Sequence, residues 1–356
     1  MLENATNEEV QGQIETEKER EGLKVLITSE NPQEDLIAKL SNLEIDVQWQ
    51  KIAEPLTGLE DTFTFRHLKP VFDYAEKNGI DLVIAVDSTY DKFTLGVRKL
   101  VSGSFVLLNI HHTSLILAKL LLENHGSLSC KKSIFITDLL EKLFAKHDAA
   151  ITTIPYLPTP LKEHADFLMS EPDETLFISE NQEILLKGQQ DSLGYLLSRL
   201  ILSAKKAKTE DHTLFDSLIG IYTDYGFQRE KNLAVSIEEP SQKLFFKKVI
   251  ARLKKKPPLT LGMTEITSIE DLSNGTLKNL LSGRIIPSKS PAANALQVQL
   301  GNNSRFLIFP TEQKINFFFT SHGKLIKKDD FTTLSQQFDQ RVVKLLSEIN
   351  RLGLEN

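Results

Sequence analysis

From Gly22 onward the chain alternates between short apolar runs and stretches where apolar residues recur at helical spacing. Leu23–Thr28 is an apolar run bounded by polar residues and predicts a buried strand. Asn31-Pro32 marks a turn, after which Leu36, Ile37, Leu40 and Leu43 share one helix face. A second strand is expected at 44–50, a helix at 69–77 ended by Asn78-Gly79, and a third strand at 81–86. This β-α-β-α-β order predicts an α/β sheet with helices on both faces.

The pattern then partly repeats. Helices are expected at 115–122, 139–146, 191–206 and 213–225, and strands at 132–136, 149–154, 175–179 and 183–186. Pro158 and Pro160 make 156–160 a loop, because proline removes a backbone donor and clashes inside a helix. The last third reads differently. A strand at 232–237 and an amphipathic helix at 242–255, stopped by Pro257-Pro258, precede strands at 263–269, 295–300, 306–309 and 314–320. A final helix starts near the caps Asp329 and Asp330. It aligns Phe331, Leu334, Phe338, Val342, Leu345, Ile349 and Leu352, and Gly353 is expected to end it. Helix, strands, then helix is an α+β arrangement.

Composition narrows the class. The chain has 356 residues, 40% hydrophobic and 25% charged, which is ordinary globular material for two or three domains. Net charge is −6, but residues 1–21 hold seven Glu against Lys18 and Arg20, net −5, so the remainder carries −1. The Glu-rich stretch predicts an acidic disordered tail. A near-neutral remainder argues against nucleic acid or an anionic membrane as partner. Cys130 is the single cysteine, which excludes an internal disulfide and a cysteine-rich zinc site. No apolar run is long enough to span a bilayer, and the N-terminus lacks signal-peptide character, so a cytoplasmic protein is the expectation.

Three stretches carry a resemblance. Asp81–Asp87 looks like a strand leading into a metal loop. Thr213–Leu218, continued through Ile221–Phe227, looks like a helix closing a domain. Ala293–Leu296, with Pro310–Phe319 downstream, looks like a phosphate-loop region. In this order and spacing they resemble the α-D-phosphohexomutases, the phosphoglucomutase and phosphomannomutase family, from about Leu23 to Leu352. The resemblance implies two three-layer α/β domains, 22–101 and 102–231, followed by an α+β C-terminal domain with an antiparallel sheet, 232–356. It also implies that the match begins at the family's second domain. The first domain carries the serine that relays the phosphoryl group.

The family's motifs are altered here. Its metal loop D-x-D-x-D-R reads Asp87-Ser88-Thr89-Tyr90-Asp91-Lys92. Asp87 and Asp91 could hold a hydrated Mg²⁺ weakly, or act only as turn residues. The sugar loop G-x-E-E-S-x-G reads Gly188-Gln189-Gln190-Asp191-Ser192-Leu193-Gly194, where Gln190, Asp191 and Ser192 could bind a polyol. Asp191 and Ser192 also stand where a helix N-cap would be. The phosphate loop R-P-S-G-T-E-P-K is shortened to Phe309-Pro310-Thr311-Glu312-Gln313-Lys314, leaving Thr311 and Lys314 as anion contacts or a solvated turn. His111-His112, read as a strand pair, would point to opposite faces and not share a metal.

The expected protein is therefore phosphohexomutase-like and non-catalytic. It would be a pseudoenzyme acting as a binding or regulatory module, with at most a weakened sugar-phosphate site. The alternative is a carbohydrate-metabolism mutase completed by a partner chain that supplies the phosphoserine domain and covers the surface that the resemblance implies is left exposed, the family's cleft being walled by all four of its domains.

Overall fold

The structure, a computed structural model, describes residues 22–32, 34–52, 63–101, 103–124, 126–157 and 159–354; the stretch 1–21 expected as an acidic tail lies outside them. Elements run in the order β1 (Lys24–Ser29), α1 (Glu34–Ser41), β2 (Asp46–Lys51), α2 (Phe65–Lys77), β3 (Leu82–Val86), β4 (Phe93–Arg98), β5 (Phe105–Leu108), α3 (Ile110–Leu122). Next come β6 (Ser129–Ser133), α4 (Leu139–Lys146), β7 (Ile151–Ile154), α5 (Ala165–Ser170), β8 (Thr175–Ile178), β9 (Ile184–Leu186), α6 (Ser192–Thr209) and α7 (Leu214–Tyr225). The chain ends with β10 (Phe227–Ser236), α8 (Pro240–Lys255), β11 (Thr260–Leu261), β12 (Thr264–Asp271), β13 (Thr276–Asn279), β14 (Ile285–Pro287), β15 (Leu296–Leu300), β16 (Arg305–Pro310), β17 (Lys314–Gly323) and α9 (Asp330–Leu354). Contacts divide the described residues into two compact units, 22–131 with 143–150 and 159–220, and 132–142 with 151–157 and 221–354.

The first unit is built on a five-stranded sheet in the order β2-β1-β3-β4-β5. β1 is parallel to β2 and β3, whereas β3-β4 and β4-β5 are antiparallel. β3 is buried at every position, as its unbroken apolar run requires. β4 and β5 were not legible in the sequence. A Cβ at Gly96 in β4 would lie 2.3 Å from the ring of Phe72, so glycine is what lets α2 seat on the sheet. Thr64 caps α2 by accepting from the His67 N–H at 3.3 Å. The helix therefore starts four residues before the expected Lys69 and runs through Pro70, burying Leu68, Val71, Phe72 and Ala75. His111 and His112 are buried in the first turn of α3, not in a strand; Asn109 and His112 form a capping box there. The unit also contains the β8-β9 hairpin. Among the described residues no helix is long and apolar enough to cross a membrane.

The second unit carries an eight-stranded sheet, β10-β17-β16-β15-β12-β13-β14 with β11 on β12, paired antiparallel. Its faces differ. One presents Phe306, Ile308, Phe317, Phe319 and Val298 to α8 and α9, whose Phe246, Val249, Phe338, Val342 and Ile349 complete an apolar core. Burying each such side chain contributes roughly 1.5–3 kcal/mol. The register puts Gln228, Glu230, Gln297, Gln299, Arg305, Thr320 and His322 on the opposite face. Further along that face, Leu307, Phe309 and Phe318 pack with Ile134, Phe135 and Tyr156. Gly353 does not end α9, which continues to Leu354; a Cβ there would meet the Phe245 ring at 2.3 Å, so this glycine serves a helix contact.

Candidate functional site

The turn from β3 to β4 carries the two candidate metal ligands. Asp87 is buried. Its Oδ1 accepts the backbone N–H groups of Asp91 and Lys92, each at 3.0 Å, and its Oδ2 accepts the Thr89 hydroxyl at 2.6 Å. A carboxylate that gathers three donors from its own turn holds the turn shut. Tyr90, at φ 58°, is thereby thrown back over β1, where its hydroxyl donates to the Asn31 carbonyl at 2.8 Å. Asp91 faces outward and is ion-paired with Lys162. That carboxylate's hydrogen bond and charge raise the Lys162 ammonium above its usual value. Behind the turn, Glu183 accepts the Leu161 N–H and the Ser179 hydroxyl. Burial raises the Glu183 carboxyl, only partly offset by those bonds and by Lys92.

These residues do not fit Mg²⁺. The ion needs near-octahedral oxygen donors at about 2.0–2.1 Å. Here one carboxylate is filled by N–H and O–H donors, the middle position of the loop donates rather than ligates, and the other carboxylate meets an ammonium. Among the described residues no group of three or more His, Cys, Asp or Glu is arranged to hold a metal.

The sugar-loop residues serve α6. Asp191 is its N-cap, with Oδ1 accepting the Gly194 N–H at 2.9 Å and Oδ2 paired with Lys39 at 2.7 Å. Burial pulls this carboxyl upward, but the bonds from Lys39 and Gly194 outweigh it and hold it below the usual range. The Ser192 hydroxyl accepts the Leu186 N–H at 2.7 Å, tying the helix start to β9. Gln190 is exposed.

In the second unit, Thr311 closes the β16-β17 hairpin. Its N–H and its hydroxyl both reach the Lys314 carbonyl, at 2.8 and 3.0 Å, and the Lys314 N–H returns to the hydroxyl at 3.1 Å. Phe309 is buried against Tyr156, with ring centroids 4.4 Å apart. Within the first unit, Asp191 pairs with Lys39 while Asp91 pairs with Lys162, so the candidate residues belong to separate local networks.

Known protein structures share this architecture. A protein assigned as a phosphomannomutase from Thermus thermophilus superimposes with a TM-score of 0.56 at 11% identity, covering 95% of this chain and 64% of that one. The fold is that of the α-D-phosphohexomutases. The open form of the Paramecium phosphoglucomutase pp63/parafusin gives 0.48 at 14% identity, covering 85% of this chain and 48% of that one. The chain thus spans less than two thirds of the length of either protein. No protein-family model and no curated protein sequence matches it.

Sequence reasoning missed a charged cluster on the polar face of the phosphohexomutase-type C-terminal sheet. Arg305 grips both oxygens of Asp138, at 2.8 and 2.6 Å, and donates to Gln297 at 2.7 Å. Lys132, fully buried, pairs with Asp138 at 3.2 Å and Glu141 at 3.1 Å. Burial raises the Asp138 carboxyl, but Arg305 and Lys132 outweigh it and set it below the usual range. Glu230 lies on the same face of the sheet, and burial pushes it up to about 7 against the pull of Thr137 and Arg229. The available signal was the alternation Leu296-Gln297-Val298-Gln299-Leu300, which marks a strand with one polar face.

Proposed function

We propose that this chain is a non-catalytic protein of phosphohexomutase fold, acting as a binding or regulatory module. The observation supporting the reading is the state of the metal loop. Asp87 is committed to its own turn and Asp91 to Lys162. A metal-assisted phosphoryl transfer needs those oxygens to neutralise charge developing on the phosphate. The same reasoning leaves only weak sugar-phosphate recognition, through Gln190 and the solvent-facing part of Asp191.

The test is a mutase assay with glucose 1-phosphate and mannose 1-phosphate, a bisphosphate activator and Mg²⁺. The expected result is no turnover. Turnover at ordinary enzyme rates, lost in Asp87→Ala, overturns the reading. Turnover that starts only when a phosphoserine-bearing chain is added would instead establish the partner-completed mutase. Adding this protein to an intact mutase separates regulation, seen as a changed rate, from simple binding.

A further inference from the structure

The polar face of the C-terminal sheet opens into a cavity of about 470 Å³, within the range of small-ligand sites. Its walls include Asp138, Lys142, Gln299, Asn303, Arg305 and His322. The cavity lies at the end of β16 and β17 away from their hairpin: Arg305 starts β16 and His322 nears the end of β17, whereas Thr311 and Lys314 lie at the turn. It is therefore distinct from the shortened phosphate loop, and the inference does not depend on the function proposed above.

The charge balance decides what it would take. Asp138 is the carboxylate in the wall, and its two oxygens are occupied by Arg305 and Lys132. A cationic guest would find no free carboxylate there. The cations are less fully engaged. Lys142 donates once, to the Tyr225 carbonyl at 3.2 Å, which leaves two ammonium hydrogens. The buried Arg305 Nε has no hydrogen-bond partner among the described residues. Burial, then the positive charge of Lys142, holds His322 below its usual value. Its imidazole is therefore neutral at pH 7 and offers one N–H and one acceptor nitrogen. Gln299 donates its amide N–H groups to the Leu300 and Ser304 carbonyls, at 3.4 and 3.2 Å. That orients the amide and leaves its carbonyl oxygen to accept from a hydroxyl.

We propose that this cavity binds a small oxyanion, phosphate or carboxylate, carried on a hydroxylated body: Lys142 and His322 meet the anion, and Gln299 and Asn303 meet the hydroxyls. The cavity is several times the size of one oxyanion, so the body is part of the fit. A charge-assisted hydrogen bond from Lys142 is the largest single contribution.

The experiment is calorimetric titration of the full chain with inorganic phosphate, acetate and glucose in parallel, followed by histidine ring proton shifts. Saturable binding of phosphate, acetate or both, with the His322 signals moving, is the expected result. Phosphate alone identifies a phosphate ester as the ligand class, and binding of both extends it to carboxylates. Lys142→Gln should weaken the anion about tenfold or more, and Asn303→Ala less. Both side chains lie at the surface, and circular dichroism of each variant checks the fold. Binding of neither anion, binding of glucose alone, or anion binding unchanged in both variants overturns the proposal.

Discussion

Lys162 holds the carboxylate of Asp91 in an ion pair beside a turn that Asp87 closes on itself. The ammonium stands against an oxygen that a divalent ion would need, so the loop is stabilised without metal. Urea unfolding midpoints should then be the same with and without millimolar Mg²⁺. Asp87→Ala should cost about 2–3 kcal/mol in either condition, the worth of hydrogen bonds to a charged acceptor. Asp87→Asn, which keeps an oxygen for the two N–H groups, should cost less. A midpoint raised by Mg²⁺ in the wild type and not in Asp87→Ala would sink this account.

Asp191 is expected to matter for α6 rather than for a ligand. Asp191→Ala removes the N-cap and should destabilise by about 1 kcal/mol, while Asp191→Asn should be nearly neutral. Lys39→Met should cost under about 1 kcal/mol, because the pair is exposed. Thermal unfolding of the three variants checks the order. Equal losses for Ala and Asn would mean that the charge, not the cap, carries the effect.

The legible part of the fold was the part with clean periodicity. β3 and α9 follow from one unbroken apolar run and one long apolar stripe. β4 escaped notice because Gly96 and Thr94 interrupt its apolar run, and both are fixed by tertiary contacts: a ring against Gly96 and the Leu108 carbonyl accepting from Thr94. The candidate site residues were identifiable as polar turn residues. Their roles were not, since whether Asp191 caps a helix or meets a sugar depends on Lys39, 152 positions away. The charged cluster around Arg305 and Asp138 joins residues 167 apart, so no local pattern announces it.

Two glycines should respond oppositely to alanine. Gly96→Ala drives a methyl into Phe72 and should cost roughly 1–3 kcal/mol as overpacking. Gly220, inside α7, has open space where a Cβ would go, so Gly220→Ala should gain up to about 1 kcal/mol of helix propensity. Chemical denaturation of both variants makes the comparison. If Gly96→Ala were neutral, the close seat of α2 on the sheet would be wrong.

Glu230 gives the second unit a pH dependence of unusual sign for a carboxyl. The folded chain holds its proton up to about pH 7, whereas the unfolded chain releases it near 4.5. Between those values the folded state binds more protons, so the contribution of this group to stability falls as pH rises. It is undiminished below 4.5 and levels off above 7 at a deficit of about 3 kcal/mol. Glu230→Gln should therefore match the wild type at pH 4 and exceed it at pH 8. Asp138 has the opposite sign: its lowered carboxyl stabilises above the unfolded value and loses that contribution in acid. The two groups are coupled, because the Asp138 charge helps hold the Glu230 proton. Removing it in Asp138→Asn should shift the Glu230-dependent loss of stability to lower pH. Urea midpoints across pH 4 to 8 for wild type, Glu230→Gln and Asp138→Asn provide the measurement. A Glu230→Gln difference that stays constant over that range would show that the carboxyl ionises normally in the folded protein.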